Sequence, residues 1–236
     1  MLRINKYLAN SGVASRRAAD KLIEEGRVSV NGKIVTELGF MVRENNDSVS
    51  VDKVRVKPVT SYTYILFNKP KGCVTTVSDE KGRKTVFDFV KTDKRLFPVG
   101  RLDYDSEGLL ILTNDGDLTQ MLTHPSNDIA KQYIVKIEGD IVESDLAILR
   151  KGVVVEGVKY DRAKIKKLSM ENGNARLEVT IYEGKNREIR KMFDSVEKNV
   201  IFLKRIAVED LRLGGLGRGE WRFLREEEVE YLKSLG

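Results

Sequence analysis

The stretch that decides the fold is Gly100-Arg-Leu-Asp-Tyr-Asp-Ser-Glu-Gly-Leu-Leu-Ile-Leu-Thr-Asn-Asp-Gly116. Its aliphatic run over 109–112 has the length of a strand buried on both faces, and falls far short of the ~20 residues that cross a bilayer. An acidic loop carrying Asp103, Asp105 and Glu107 leads into the run, and the turn Asn114-Asp115-Gly116 leaves it. Asp and Ser commonly serve as turn caps, which is the reading taken for Asp105, Asp115 and Asp117. Asp103 differs because it follows Arg101-Leu102 and precedes Gly108, whose missing side chain lets another backbone come close.

On either side of this segment the chain from residue 62 onward is rich in strands. Alternating or continuous apolar runs predict strands at 62–68, 109–113, 132–138, 153–155, 163–168, 176–182 and 202–208. Helices are predicted at 85–90, 117–123, 143–150, 186–195 and 226–235. Many strands joined by hairpin-like turns, with few helices between them, imply an α+β domain on a mixed or antiparallel sheet. Gly214-Gly-Leu-Gly-Arg-Gly219 is glycine-rich, but Glu220-Trp221-Arg222 follow it in place of a helix, so it reads as a turn and not a nucleotide loop.

The first 60 residues have a different character. They hold 11 Lys/Arg against 7 Asp/Glu, two-thirds of the chain's net charge of +6. Ile4, Leu8 and Val13 mark a short helix ended by Ser11-Gly12. Ser15 is placed to cap a second one with the stripe Ala18, Ala19, Leu22 and Ile23, stopped by Gly26. Arg16, Arg17 and Lys21 crowd its first turns, where cations oppose the helix dipole, a cost that a phosphate ligand would repay. Asn31-Gly32 between alternating residues signals a type I′ hairpin, and 49–56 reads as a second strand pair. Lys57-Pro-Val-Thr-Ser61 breaks the pattern and is the expected linker. A compact basic module joined to a near-neutral body suggests a polyanion-docking domain. The expected domains are therefore 1–58 and 59–236.

Composition excludes several chemistries. One cysteine, Cys73, cannot form an internal disulfide or a CxxC pair, and one histidine, His124, leaves no ordinary zinc ligand set. His124 precedes Pro125 and reads as a loop residue at a helix end. No metal and no cofactor is expected, and the working groups should be Asp, Glu, Tyr, Lys or Arg. The N-terminus lacks an apolar targeting core, so a soluble cytoplasmic protein, monomeric and unattached to membrane, is expected.

Two resemblances sharpen this reading. Arg3-Ile-Asn-Lys-Tyr-Leu-Ala-Asn-Ser-Gly-Val-Ala-Ser-Arg-Arg17, continuing through Gly26-Arg-Val-Ser-Val-Asn-Gly32, resembles the alpha-L RNA-binding domain named after a primary-binding ribosomal protein of the small subunit. The 100–116 stretch resembles the GRLDxx[ST]xGLLxLTNDG signature of pseudouridine synthases of the RsuA/RluB type, which modify ribosomal RNA. Asn68-Lys-Pro-Lys-Gly72, Lys131-Gln-Tyr133, Glu183-Gly-Lys-Asn-Arg-Glu-Ile-Arg-Lys-Met-Phe193 and Leu203-Lys-Arg205 agree with further motifs of that family. Ser106 stands where many members carry Thr.

The resemblance implies roles. Asp103 becomes the catalytic nucleophile or base, kept ionised by a partner that carries over to Arg190. Tyr133 would stack on the everted base, and Leu203 would form the apolar floor beneath it. Arg101 would enter the space left in the RNA stack, its bland alternative being a surface ion pair. Lys185, Arg187 and Lys191 would line the RNA groove, while Arg3, Lys6, Arg16, Arg17, Lys21 and Arg27 would hold RNA on the small domain. His124-Pro125 and the Gly219-Glu-Trp-Arg-Phe223 segment favour the large-subunit (23S) branch over the small-subunit (16S) one, with free rRNA or an assembling particle as partner. The competing class is a non-catalytic RNA-binding or ribosome-assembly factor that kept the fold.

Overall fold

The computed structural model describes every residue from Met1 to Gly236. The chain divides into two compact units, Met1–Thr63 with Asn114–Gly116, and Tyr64–Thr113 with Asp117–Gly236. The predicted linker lies inside the first unit. There Val59 N–H donates to the Asn10 carbonyl at 2.9 Å, and the Asn114 side chain accepts from Thr63 N at 2.7 Å and donates to the Ser61 carbonyl at 3.4 Å.

In this unit α1 (Ile4–Asn10) and α2 (Arg16–Glu24) precede two hairpins. The Ser15 hydroxyl accepts from Ala18 N at 3.1 Å, which satisfies one of the orphan donors that begin α2. Strands β1 (Val28–Val30) and β2 (Lys33–Ile34) are joined through Asn31 and Gly32 at φ 51° and 79°, the two left-handed residues a type I′ turn needs. β3 (Val49–Val51) and β4 (Val54–Val56) turn through Asp52 and Lys53, also at positive φ, and the sheet order is β2-β1-β3-β4. Ile4, Leu8, Ala19, Ile23, Val28 and Val49 are fully buried between helices and sheet. Val13 does not join this core as the apolar stripe suggested. It lies beyond the end of α1 and is exposed, because the Ser11-Gly12 stop comes before it.

The larger unit is built on one twisted sheet. In chain order its main strands are β5 (Tyr64–Lys69), β6 (Glu107–Thr113), β7 (Lys131–Ile137), β8 (Lys164–Glu171), β9 (Asn174–Ile181), β10 (Val200–Val208) and β11 (Trp221–Phe223). Helices α3 (Gly116–Thr123), α4 (Glu143–Lys151), α5 (Glu188–Asp194) and α6 (Glu226–Lys233) fall among them. The spatial order is β8-β9-β7-β10-β6-β5-β11, with two-residue strands Phe97–Pro98 on β6 and Leu211–Arg212 on β10. Only β10 and β6 run parallel, so the sheet is mixed and the unit α+β, as the strand pattern predicted.

All seven residues of β6 are buried, which explains its unbroken aliphatic run. Phe67, Leu110, Val135, Leu177 and Phe193 pack on one side of the sheet, and Leu66, Leu109, Ile111, Leu122 and Leu232 on the other. Gly108 faces Arg205 across the parallel pair at φ +108°, where a Cβ would lie 2.1 Å from the Arg205 carbonyl oxygen. The close backbone approach anticipated at this glycine is therefore what joins the two halves of the sheet.

The helix predicted at 85–90 is a single 3-10 turn, Val86–Asp88, closed by a Thr85–Asp88 capping box. The entry to this turn is pinned to a neighbouring segment, Val74 N donating to Lys84 O at 2.9 Å and Val86 N to Val74 O at 3.1 Å.

Candidate active site

Asp103 sits in the loop between Phe97–Pro98 and β6, half-buried, on the wall of a cleft of ≈ 360 Å³. The loop is held from below by Lys69, the last residue of β5. Its side chain is fully buried, and its ammonium donates to the carbonyls of Asp103 and Ser106, both at 2.9 Å, and of Pro70 at 3.1 Å. All three ammonium hydrogens are used on backbone oxygens, so Lys69 sets the loop's path and leaves the Asp103 carboxylate to the cleft. Burial pushes the Lys69 pKa down, while Cys73 and Asp103 pull it back up. Ser106 N–H donates to the Asp103 carbonyl at 3.1 Å, and the buried Ser106 hydroxyl lines the cleft with no partner of its own.

The opposite wall comes from β7 and β10, whose cleft-facing residues include Tyr133, Leu203 and Arg205. Tyr133 is buried, and burial raises its pKa, keeping it a neutral phenol; the Arg205 guanidinium beside its hydroxyl opposes that shift. Arg205 Nε donates to the Leu109 carbonyl at 2.7 Å, tying the aromatic wall to the strand that follows the Asp103 loop. Lys131, two residues before Tyr133, repeats the device seen at Lys69. Its ammonium donates to Glu183 O (2.8 Å), Ile129 O (3.0 Å) and Tyr182 O (3.2 Å). Burial, with Arg205 nearby, lowers its pKa to about 8. Glu188 at the head of α5 accepts from Lys185 N at 2.8 Å, and burial raises its pKa.

Arg190 does not pair with Asp103 as the resemblance implied. Its Nη2 lies 3.1 Å from the Asp105 carboxylate and also donates to the Asp105 carbonyl at 3.3 Å, while Nη1 donates to Val200 O at 2.7 Å. Asp105, read from sequence as an ordinary turn residue, is the acidic partner, and Arg187 reaches the same carboxylate at 3.4 Å. The reason is geometric. The turn that directs Asp103 into the cleft leaves Asp105 facing α5, whose first turns carry Arg187 and Arg190. Burial lowers the pKa of Arg190, and the nearby Asp105 carboxylate opposes that shift.

The other expected contacts separate into two groups. Arg101, Lys185 and Arg187 line the cleft with Asp103, Tyr133 and Leu203. Lys191 does not; it pairs with Glu156 at 3.2 Å. Lys185 is itself held by Glu183 at 2.7 Å. On the small unit Arg3, Arg16, Arg17 and Lys21 are exposed and make no ion pair, Lys6 is half-buried, and Arg27 is engaged by Asp52 at 2.6 Å and Glu25 at 3.2 Å. His124 caps the 3-10 turn Pro125–Asn127 by accepting from Ser126 N at 3.3 Å. The Gly214–Gly219 segment is a turn whose Arg218 reaches the buried Glu107 at 2.8 Å. No three of His, Cys, Asp and Glu converge as metal ligands would. The sequence displayed Lys69, Lys131 and Arg205 within motifs, but their carbonyl and hydroxyl partners lie too far along the chain to be read there.

Both parts of the chain match known proteins. Residues 63–195 match the RNA pseudouridylate synthase family, and residues 2–48 match the S4 domain. Ribosomal large subunit pseudouridine synthase B of Bacillus subtilis (strain 168) is 42% identical over 238 residues, covering 100% of this chain and 97% of that protein. Dual-specificity RNA pseudouridine synthase RluF of Escherichia coli (strain K12) is 37% identical, covering 97% of this chain and 77% of its own length. A crystal structure of a pseudouridylate synthase superposes with TM-score 0.71 at 27% identity, covering 98% of this chain and all of that one. The chain belongs to the RNA pseudouridylate synthase family, in its RsuA/RluB-type branch with an N-terminal S4 domain. It is thereby an isomerase.

Proposed function

We propose that this enzyme converts one uridine of ribosomal RNA, in the large-subunit (23S) molecule, to pseudouridine, with Asp103 as nucleophile and base. The reaction breaks the bond between uracil N1 and ribose C1′, turns the base, and joins C5 to C1′. The proton on C5 is lost and N1 gains one, so no external reagent is consumed. Of the carboxylates on the cleft wall, Glu183 is held by the Lys185 ammonium and Glu188 by the Lys185 backbone N–H, whereas Asp103 is free to attack and then to take the proton. Tyr133 stacks on the everted base over Leu203, and its neutral hydroxyl assists proton movement. Arg101 at the rim fills the gap in the RNA stack, offsetting the few kcal/mol that flipping costs. Arg190 acts through Asp105, holding the loop that presents Asp103. The residues on 1–58 bind RNA and those on 59–236 perform the chemistry, in the cytoplasm and as a monomer.

The observation that carries the reading is the convergence of Asp103, Tyr133 and Leu203 on one cleft of nucleoside dimensions, ≈ 360 Å³. The B. subtilis relative, 42% identical along the whole chain, supports the large-subunit target. Carbodiimide mapping of pseudouridine on deproteinised 23S and 16S rRNA, after incubation with wild type or Asp103→Asn, tests both parts. Wild type should mark a single 23S uridine and the variant none. Equal, unmodified maps from both proteins would sink the catalytic reading in favour of a binding factor, and a mark only in 16S would sink the large-subunit target.

A further inference from the structure

A second groove, ≈ 540 Å³, opens beside the catalytic cleft and shares Arg101, Leu102, Asp103 and Asn186 with it. Its far wall is the 74–83 loop. Tyr104, the residue after Asp103, lines this groove and not the cleft, and its side chain is 51% exposed. A half-exposed tyrosine beside a reacting centre needs an explanation that core packing does not supply.

The groove is built to stay in place. Gly72 N–H donates to the Tyr104 carbonyl at 2.9 Å, and a Cβ at Gly72 would lie only 3.9 Å from the Tyr104 hydroxyl. The Thr75 hydroxyl donates to Leu102 O at 2.7 Å and accepts from Leu102 N at 3.3 Å. Asp79 closes the 79–83 turn by accepting from Arg83 N at 2.9 Å and Nη2 at 2.6 Å. Its cations Lys81, Arg83 and Arg101 are balanced by Asp79, Glu80 and Asp103. A balanced groove does not attract phosphate strongly. What distinguishes it is the half-exposed aromatic ring of Tyr104 in a lining that also includes Val74 and Leu102, which suits a nucleobase.

We infer that Tyr104 is the stacking platform for the unpaired nucleotide adjoining the target uridine, a base-binding subsite separate from the cleft that takes the uridine itself. When the uridine leaves the stack, Arg101 stands at the shared rim where the strand divides, and the neighbouring base rests on the Tyr104 ring. The inference rests on the proposed rRNA activity and names a specificity element for it, because the cost of misplacing the neighbour depends on that base's unpaired state.

The test uses an RNA segment spanning the mapped uridine, with 2-aminopurine placed at each flanking position in turn. Wild type should quench the fluorophore at one flank on binding, Tyr104→Phe should quench it equally, and Tyr104→Leu should not. Tyr104→Leu should also weaken binding about 10-fold, as loss of one stacked base does. An abasic residue at that flank should weaken wild type by the same factor and the Leu variant no further. Equal quenching by wild type and Tyr104→Leu, or unchanged affinity, overturns the subsite while modification of the uridine continues. Absence of any modification by wild type overturns the rRNA reading, and the subsite with it.

Discussion

Replacing Gly108 by alanine tests the parallel β6–β10 seam on which the cleft is built. Two penalties act there. An alanine held at φ +108° is strained by ~1–3 kcal/mol. Its Cβ would meet Arg205 O at 2.1 Å and Arg205 N at 2.8 Å, both backbone atoms with no rotamer to yield, so the strands must separate. Overpacking of that kind costs ~1–3 kcal/mol more, and together the loss should be about 4 kcal/mol. Gly173→Ala is the control, since that glycine has φ +77° with nothing within 4 Å and carries backbone strain alone, ~1–2 kcal/mol. Urea unfolding followed through Trp221, the only tryptophan and a residue of β11, reads the larger unit. Against a typical total of ~5–15 kcal/mol, Gly108→Ala should shift the midpoint far more than the control and slow turnover, because Arg205 and Leu203 move away from the Asp103 loop. If the two variants fall within about 1 kcal/mol of each other, close approach at this seam contributes nothing and the account of the cleft's construction is wrong.

Lys131→Met should abolish the clamp on the Tyr182 and Glu183 carbonyls and remove an alkaline limb near pH 8 from the kcat profile. The fold lowers this lysine's pKa to about 8 from 10.5, so between those values the unfolded chain binds the extra proton. Wild-type stability should therefore gain on that of the Met variant as pH rises from about 7 to about 10; a constant difference in urea midpoints would refute the assignment. Affinity for an rRNA fragment should fall steeply with salt. Arg17→Ala should reduce the log–log slope by about 1, whereas Arg27→Ala, already neutralised by Asp52 and Glu25, should leave it nearly unchanged. Equal reductions by filter binding would contradict this division.

Short-range chemistry was legible in the chain alone. The Ser15 cap, the Asn31-Gly32 turn, the buried β6 run and the motif order each depend on residues a few positions apart, and through them the family and the α+β class could be read. The 85–90 segment closes only one turn, and the pairing of Val74 with Lys84 and Val86 that pins the entry to it is a contact apolar periodicity cannot reveal. Tertiary structure alone decided how charge is distributed at the site. The motif set Asp103 apart from Asp105 but could not assign their charge partners, and only the packing of α5 against that loop gives Asp105 to Arg190 and leaves Asp103 open to the cleft. Lys69 and Lys131 likewise look like surface lysines on paper. Each becomes a buried clamp because its ammonium meets carbonyl oxygens brought from distant segments, 37 residues away for Ser106 and 52 for Glu183. Local pattern encodes elements, whereas an electrostatic site is a sum over neighbours in space, and those neighbours exist only once the sheet has assembled.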